Sequence, residues 1–331
     1  MTIKIIAEIG SVHDGSFGNA LKLIDASKNA GADFVKFQYH IAEHESLKDA
    51  PSPSYFSQES RFDYFKRTSF SPAQWFKLKE YANKRKIGFI VSPFCTQAIQ
   101  NLEKINCQNY KVASGEITNL PLLKKLVDTK KTIFLSTGMS NWEEIDRAVK
   151  ILNSSKDLII FQCSSLYPCP PEHAGLNNIE LMKAKYNLKV GFSDHTQGNV
   201  AALLSVMLGT KFIEKHVTFS KSMYGSDAKN ASTFEEFNSL VNDVKYLCRL
   251  INNQVDKNDL SLFKEMRKIF FKSIVTKRGL KKGDIIRTAD LTLKKPGHGI
   301  PATKIQNIVG KKLKVDVEKD TILKSEHYEK N

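Results

Sequence analysis

Eight short apolar runs follow one another along the first three quarters of the chain, at residues 4–9, 34–38, 88–92, 110–113, 132–136, 158–163, 189–192 and 212–217. Between most of them the apolar positions switch to helical spacing. Residues 19–30 carry Ala20, Leu23, Ile24 and Ser27 on one face, and Gly31 can stop that helix. The same logic predicts helices over 72–84, 96–105, 120–127, 142–152, 176–186 and 198–208, with a longer one over 233–251. Eight strand–helix units within about 250 residues have the size of a TIM (β/α)8 barrel. A doubly wound open sheet is the rival, with fewer parallel strands and its chemistry at one crossover. Polar residues stand at the end of nearly every run, which suits eight strand tips meeting at one mouth.

The pattern changes after about residue 274. Short strands and tight turns take over, with Lys281-Lys282-Gly283-Asp284 and Lys295-Pro296-Gly297-His298-Gly299 between them and a helix only at 303–308. The expected division is a barrel over 1–255, a linker over 256–272, helical at 256–268, and a compact, mostly β domain over 273–331. The tail is rich in Lys and poor in large apolar residues, so it is expected to lean on another surface.

Of 331 residues, 41% are apolar and 26% charged, a globular balance. No run reaches the ~20 continuous apolar residues that span a bilayer, and Glu8 interrupts the first run too early for a secretory signal. The five cysteines lack metal-finger spacing and are odd in number, against a disulfide framework. Cytoplasm is the expected compartment and no membrane is an expected partner. The net charge of +15 favours anions. Its lysines are scattered without interleaved aromatics, so nucleic acid is not expected to be a partner.

Residues two apart in a strand share a face. Lys36 therefore points with Gln38, Glu214 with His216, and Ser193 with His195 if that strand runs on, while Asp194 and Lys215 face the other way. His195 and His216 end successive strands about 4.8 Å apart. They can share a divalent ion, or they can be neutral members of a polar network. Lys36 and Lys111 in a barrel mouth need anionic company. A substrate phosphate or carboxylate can supply it, and so can Glu8, Glu116 or Glu214. Ser114, Ser136 and Thr137 add hydroxyls, and Gly115 and Gly138 would let backbone approach an oxyanion. Lys111 could instead be a Schiff-base nucleophile. Glu8 is placed to bind sugar hydroxyls or move a proton. His13 could bind the same ligand or cap its loop. Tyr167, beside Pro168, could wall a polyol pocket, and Asp227 could accept sugar hydroxyls or cap a turn.

Nearly end to end, the chain resembles the sialic acid synthase family, the bacterial nonulosonic acid synthases. The resemblance rests on Glu8-Ile9-Gly10-x-x-His13-x-Gly15, Val35-Lys36-Phe37-Gln38 and Tyr110-Lys111-Val112-Ala113-Ser114-Gly115-Glu116-Ile117. It continues through Ser136-Thr137-Gly138-Met139, Ser193-Asp194-His195-Thr196, Glu214-Lys215-His216 and the loop from Lys295 to Ile300. It implies a TIM barrel with a small antifreeze-like (SAF, β-clip) domain, and a domain-swapped homodimer in which that domain covers the partner's barrel mouth. The implied reaction joins phosphoenolpyruvate to an N-acetylated mannose-type amino sugar and releases phosphate. The implied cofactor is a divalent ion, manganese first, with magnesium or cobalt as alternatives. By motif, His195 and His216 are the implied metal ligands. Lys36, Lys111, Ser114, Ser136 and Thr137 fall in the phosphoenolpyruvate site. Gln38, Tyr167, Asp227 and Lys295 fall on the sugar side. Glu8, Lys36, Lys111, Glu116 and Glu214 form the expected catalytic set, with Glu8 as the acid or base that handles water. Lys295 stands where the family carries Arg and cannot supply the same planar fork. Ser165 replaces Asn, Gln162 replaces His, Val12 replaces Asn, and Gly225-Ser226-Asp227-Ala228 replaces Gly-Pro-Asp-His. Most of these departures fall on the sugar side. The sugar could thus be N-acetylmannosamine, a diacetamido-trideoxyhexose of the legionaminic or pseudaminic type, or a related aldose.

Overall fold

The computed structural model describes residues 2–52 and 59–329. Strands β1 (Lys4–Gly10), β2 (Phe34–Tyr39), β3 (Gly88–Pro93), β4 (Asn109–Val112), β5 (Thr132–Ser136), β6 (Asp157–Cys163), β7 (Lys189–Asp194) and β8 (Phe212–Thr218) pair in parallel in that order, and β1 also pairs with β8. The sheet therefore closes on itself as a TIM-type barrel, with each strand within two residues of the run that predicts it. A two-residue strand, β9 (Ser232–Thr233), extends the ladder beside β8.

Helices α1 (Phe17–Asn29), α2 (Ala42–Glu45), α3 (Arg61–Thr68), α4 (Pro72–Lys84), α5 (Thr96–Lys104), α6 (Leu120–Asp128), α7 (Trp142–Leu152), α8 (Asn177–Tyr186), α9 (Val200–Met207) and α10 (Phe234–Asn252) belong to the same unit. Their starts are written in the sequence. Ser71 and Gln74 form a reciprocal capping box ahead of α4, as do Asn141 and Glu144 for α7 and Thr233 and Glu236 for α10. The periodicity does not foresee α2 and α3. They are short, and their apolar residues (Ala42, Phe62, Tyr64 and Phe65) form a separate small cluster.

Alternation in the strands builds two cores. Ile5, Ala7 and Ile9 of β1 face outward into the large layer shared with the helices. Ile6 faces inward with Ile90, Phe134, Ile159 and Phe161, and Phe34 and Phe212 pack on them. This plug fills the lower barrel. Glycine makes room for its rings: a Cβ on Gly191 would lie 2.5 Å from the Phe161 ring. Inward positions one step further along the strands hold Glu8, Lys36, Lys111, Ser193 and Glu214, all buried. The barrel lumen thus changes within one strand repeat from aromatic to charged.

The chain divides at Asn253 into two compact units, Met1–Asn253 and Gln254–Asn331. In the second, a 3-10 turn (Ser261–Phe263) and α11 (Lys264–Phe270) occupy part of the expected helical connector. They precede an antiparallel pair, β10 (Ser273–Thr276) and β11 (Leu291–Lys294). The helix expected at 303–308 is a 3-10 segment, Ala302–Asn307. The core of this unit is small, built on residues such as Ile274, Leu280, Ile286 and Leu323. Among the described residues no helix is long and apolar enough to cross a membrane.

Candidate active site

Strand register brings the predicted residues together. Glu8 lies level with Lys36 on one side and with His216 on the other, and Ser193 lies level with Glu214. Glu214 sits between the two lysines. Its Oε1 is 2.9 Å from Lys36 Nζ and its Oε2 is 3.0 Å from Lys111 Nζ. Ser193 closes the ring, accepting from Lys111 at 3.2 Å and donating to Glu214 at 3.1 Å. Lys36 Nζ is also 3.3 Å from Glu8 Oε2. Lys111 Nζ stands 3.6 Å above the Phe161 ring, the top of the aromatic plug.

The two carboxylates on this network differ. For Glu214, burial opposes ionisation, but Lys111 and Lys36 overcome it and hold the carboxyl well below its ordinary range. For Glu8, burial wins, the charge of Glu214 adds to it, and the carboxyl rises to about 7 despite Lys36. The lysines part in the same way. Burial, with repulsion from Lys36, brings Lys111 down to about 8 against the pull of Glu214. Burial acts on Lys36 too, but Glu214 and Glu8 outweigh it and raise its pKa. One permanent anion thus clamps a cationic lysine and a softer one, beside an acid that can exchange a proton near neutrality.

His195 follows β7 directly, and its ring centroid is 5.6 Å from that of His216 on β8. Nδ1 of His195 donates to the Ser164 carbonyl at 2.6 Å, so Nε2 is the nitrogen left for a ligand; burial lowers the ring's pKa, but Cys163 and the Ser164 bond outweigh it and raise it. His216 Nδ1 is buried without a hydrogen-bond partner, and burial holds this ring down at about 4. Among the described residues no three His, Cys, Asp or Glu side chains converge as a metal cluster. The two imidazoles nonetheless fit a borderline divalent ion, with an orphaned buried nitrogen on one and a ring oriented by its Ser164 hydrogen bond on the other. The Tyr167 ring packs 4.2 Å from that of His195 and 6.0 Å from that of His216, and a cis peptide joins it to Pro168.

The hydroxyls divide. Ser114 donates to Ser136 at 3.2 Å beside Cys163 Sγ. Thr137 turns its proton to the Phe161 carbonyl, so its donor is spent on β6. Gly138 matches the expected cradle, since a Cβ there would come within 2.3 Å of Ser165 Oγ and 2.7 Å of Ser114 Oγ. Around Gly115 the space is open, with nothing within 4 Å of where its Cβ would be. Asp227 is brought in from the loop after β8. It accepts from the Ser11 amide and from Ser226, and a Cβ on Gly10, whose φ is +54°, would fall 2.5 Å from its Oδ2. Gln38 donates to Glu8 Oε1 at 2.8 Å. Glu116 is half-buried and accepts from Asn119, with its pKa raised chiefly by burial. Lys295 lies in the second unit, its amine 5.0 Å from the Phe270 ring centroid. His13 is buried against Phe70 and accepts from the Gly15 amide, so it holds its own loop. Periodicity does not single out Cys163, whose thiol lies 3.9 Å from His195 Nδ1. Its inward position two residues beyond Phe161 on β6 is the signal that could have found it.

A barrel with this charged mouth, followed by a small β unit, defines the class. Residues 23–256 match the NeuB family and residues 271–329 match the SAF domain. The chain belongs to the NeuB family. It is 33% identical to the N,N'-diacetyllegionaminic acid synthase of Campylobacter jejuni over 97% of this chain and 98% of that one. It is 31% identical to human N-acetylneuraminate-9-phosphate synthase, over 97% and 91% of the two chains. The crystal structure of an N-acetylneuraminic acid synthetase from Leptospira borgpetersenii superimposes with a TM-score of 0.70 at 30% identity, covering 80% of this chain and 90% of that one.

Proposed function

We propose that this protein is a nonulosonic acid synthase, joining phosphoenolpyruvate and an N-acylated aldose, with water, to give the nine-carbon keto acid and phosphate. The clamp of Lys36 and Lys111 on Glu214, level with Glu8, carries this reading. An arriving phosphate or carboxylate finds two ammonium groups already oriented, with the Ser114 and Ser136 hydroxyls nearby. His195 and His216 would hold the divalent ion, manganese first. Bound there, it supplies Lewis acidity to an aldehyde oxygen.

In the proposed reaction, C3 of phosphoenolpyruvate forms a bond to the aldehyde carbon, whose oxygen takes up a proton. Water adds to the cation-like C2 and gives its proton to Glu8. The C2–O–phosphate bond then breaks, phosphate leaves with the electron pair, and the remaining hydroxyl passes its proton to the departing phosphate as it becomes the ketone. Lys36 and Lys111 follow the charge as it passes to the departing phosphate. Asp227, Gln38 and Tyr167 are assigned to the sugar. The test is phosphate release with phosphoenolpyruvate against a panel of amino sugars, with mass spectrometry of the product. N-acetylmannosamine is the first candidate. A diacetamido-trideoxyhexose is the second, favoured by the 33% identity to the legionaminic acid synthase. Absence of phosphate release with every sugar would sink the proposal.

A pyruvate aldolase acting through Lys111 is the alternative favoured by the lowered pKa of that amine. Borohydride trapping with pyruvate would label Lys111 in that case and leave the synthase unmodified. The proposal includes a homodimer in which the second unit, with Lys295, completes the partner's mouth. The small core of that unit and the exposed Leu262, Phe263, Met266 and Ile269 support it. An active monomer lacking residues beyond 274 would refute it.

A further inference from the structure

Behind Glu8 runs a chain of hydrogen bonds that leaves the mouth and ends in a buried carboxylate. Gln38 Nε2 donates to Glu8 Oε1 at 2.8 Å. On the other side of the same amide, Gln38 Oε1 faces His40 Nε2 at 3.1 Å. His40 Nδ1 then meets Glu45 Oε1 at 2.8 Å. His40 and Glu45 each keep only 4% of their side-chain surface exposed. The imidazole lies flat between Phe65 and Phe94, with centroids at 3.6 and 4.1 Å. Ser69 ties the His40 carbonyl to the end of α3. A polar pair buried this deeply, with its ring clamped on both faces, is held in one geometry.

The direction of the chain follows from its ends. A carboxylate at Glu8 accepts only, so Gln38 must present its NH2 there and its carbonyl to His40. That carbonyl needs a donor, so His40 carries hydrogen on Nε2. Nδ1 is taken by Glu45 Oε1, so Nε2 is the ring nitrogen that faces the Gln38 carbonyl. A flipped Gln38 would set its carbonyl against Glu8 and its NH2 against an N–H. The consequence falls on the second oxygen of Glu8. Oε2 is buried outside the chain of amide contacts, with the Lys36 ammonium at 3.3 Å as its ion-pair partner.

We infer that His40 and Glu45 are positioning residues that lock the Gln38 amide, so that its NH2 caps Glu8 Oε1 and leaves Oε2 as the oxygen that exchanges the proton of the added water. The inference rests on Glu8 acting as the acid–base group proposed above.

The test is a double-mutant cycle on the full chain with His40→Phe, which keeps the ring stack and removes the donor, and Gln38→Leu. His40→Phe is expected to lower kcat by about tenfold or more, with the KM for phosphoenolpyruvate within about twofold of wild type because the lysines are untouched. The double variant is expected to be no slower than Gln38→Leu alone, since His40 acts only through the amide. Glu45→Leu should lose rate as His40→Phe does, and Glu45→Gln, which can donate to Nδ1, should restore most of it. Multiplying losses in the double variant, or equal losses from Glu45→Leu and Glu45→Gln, would overturn the inference. A second readout does not depend on turnover. The Gln38 side-chain NH2 signals, assigned by their absence in Gln38→Leu, should shift in His40→Phe and stay close to wild type in Glu45→Gln. Unmoved signals in His40→Phe would also overturn it. If wild type turns over no sugar while these signals behave as expected, the functional reading fails and the locked amide stands.

Discussion

Two neighbours on β8 point in opposite directions and make two kinds of buried ion pair. Lys215 faces outward and meets Asp194 at 2.7 Å, with the Thr196 carbonyl as second acceptor. Asp194 is further held by the amide and hydroxyl of Thr196. The partners of Lys215 are the last residue of β7 and the loop that follows it, and charge cancels one for one. Glu214 faces inward and is shared by two lysines, one of them also beside Glu8. The outer pair is closed on itself and fixes the strand 7 tip where His195 begins. The inner group is a network around a cavity mouth, with one amine and one carboxyl pushed toward neutrality. The same residue types thus give a closed pair on one face of the strand and an incompletely matched network on the other. What separates them is how completely each charge is matched.

The largest effect expected from this contrast is on stability. Lys215→Met should cost about 3–5 kcal/mol, because Asp194 is left buried without its cation. Urea unfolding followed by tryptophan fluorescence reads this, as both tryptophans, Trp75 and Trp142, lie in the barrel unit. Lys215→Met with Asp194→Leu should recover most of the loss, since an apolar pair of similar volume replaces a buried ion pair at little cost. Lys111→Met should do the reverse. It should slow phosphate release by about a hundredfold to a thousandfold, the range for losing one preorganised electrostatic group. Removing Glu214 as well should not recover it. If Lys111→Met instead unfolds the barrel and keeps its rate per folded molecule, the two faces do not differ as argued.

His195 joins the two regions, so its replacement checks the metal assignment. Calorimetry with manganese alone should show binding to wild type that His195→Ala loses by about tenfold or more. Equal binding by both proteins would remove the two histidines as ligands.

Acid stability tests how far burial without a partner charge matters. His13 is buried against Phe70, and burial lowers its pKa to about 4 from 6.5. Between those values the unfolded chain takes up a proton that the fold refuses. Stability contributed by neutral His13 is therefore complete above pH 6.5 and falls as pH drops toward 4. The expected loss at pH 5 is about 2 kcal/mol. His13→Asn, which can still accept from Gly15, should flatten that slope. An unchanged slope would mean that His13 is protonated in the fold.

Much of this was legible from a period of two. Lys36 with Gln38, Glu214 with His216, and the outward turn of Asp194 and Lys215 all follow from alternation once the strands are located. Alternation does not see what loops bring in. His40 lies past the end of β2, and its partner Glu45 closes a four-residue helix too short to leave a periodic trace. Nor does a motif say which glycine is crowded. Gly115 and Gly138 each follow a serine or threonine at a strand end and look alike in sequence, yet only Gly138 has neighbours.

That pair of glycines gives the smallest effect and a clean comparison. A methyl group on Gly138 would meet Ser165 Oγ and Ser114 Oγ, both short side-chain ends that can rotate away. Ser114 Cβ, 3.2 Å from the added methyl, must also give by a few tenths of an ångström, so stability should fall slightly, and the two hydroxyls would no longer point as they do now. Ser114 would lose its bond to Ser136, and an anion in the mouth would lose about one hydrogen bond, worth about 1–1.5 kcal/mol. Gly138→Ala should therefore raise the KM for phosphoenolpyruvate by about tenfold. Gly115→Ala adds its methyl to open space, and the change should stay within about 0.5 kcal/mol in stability and binding alike. Equal KM values for the two variants would show that the crowding at Gly138 has no bearing on the anion, and the Ser114–Ser136 pair would lose its place in the site.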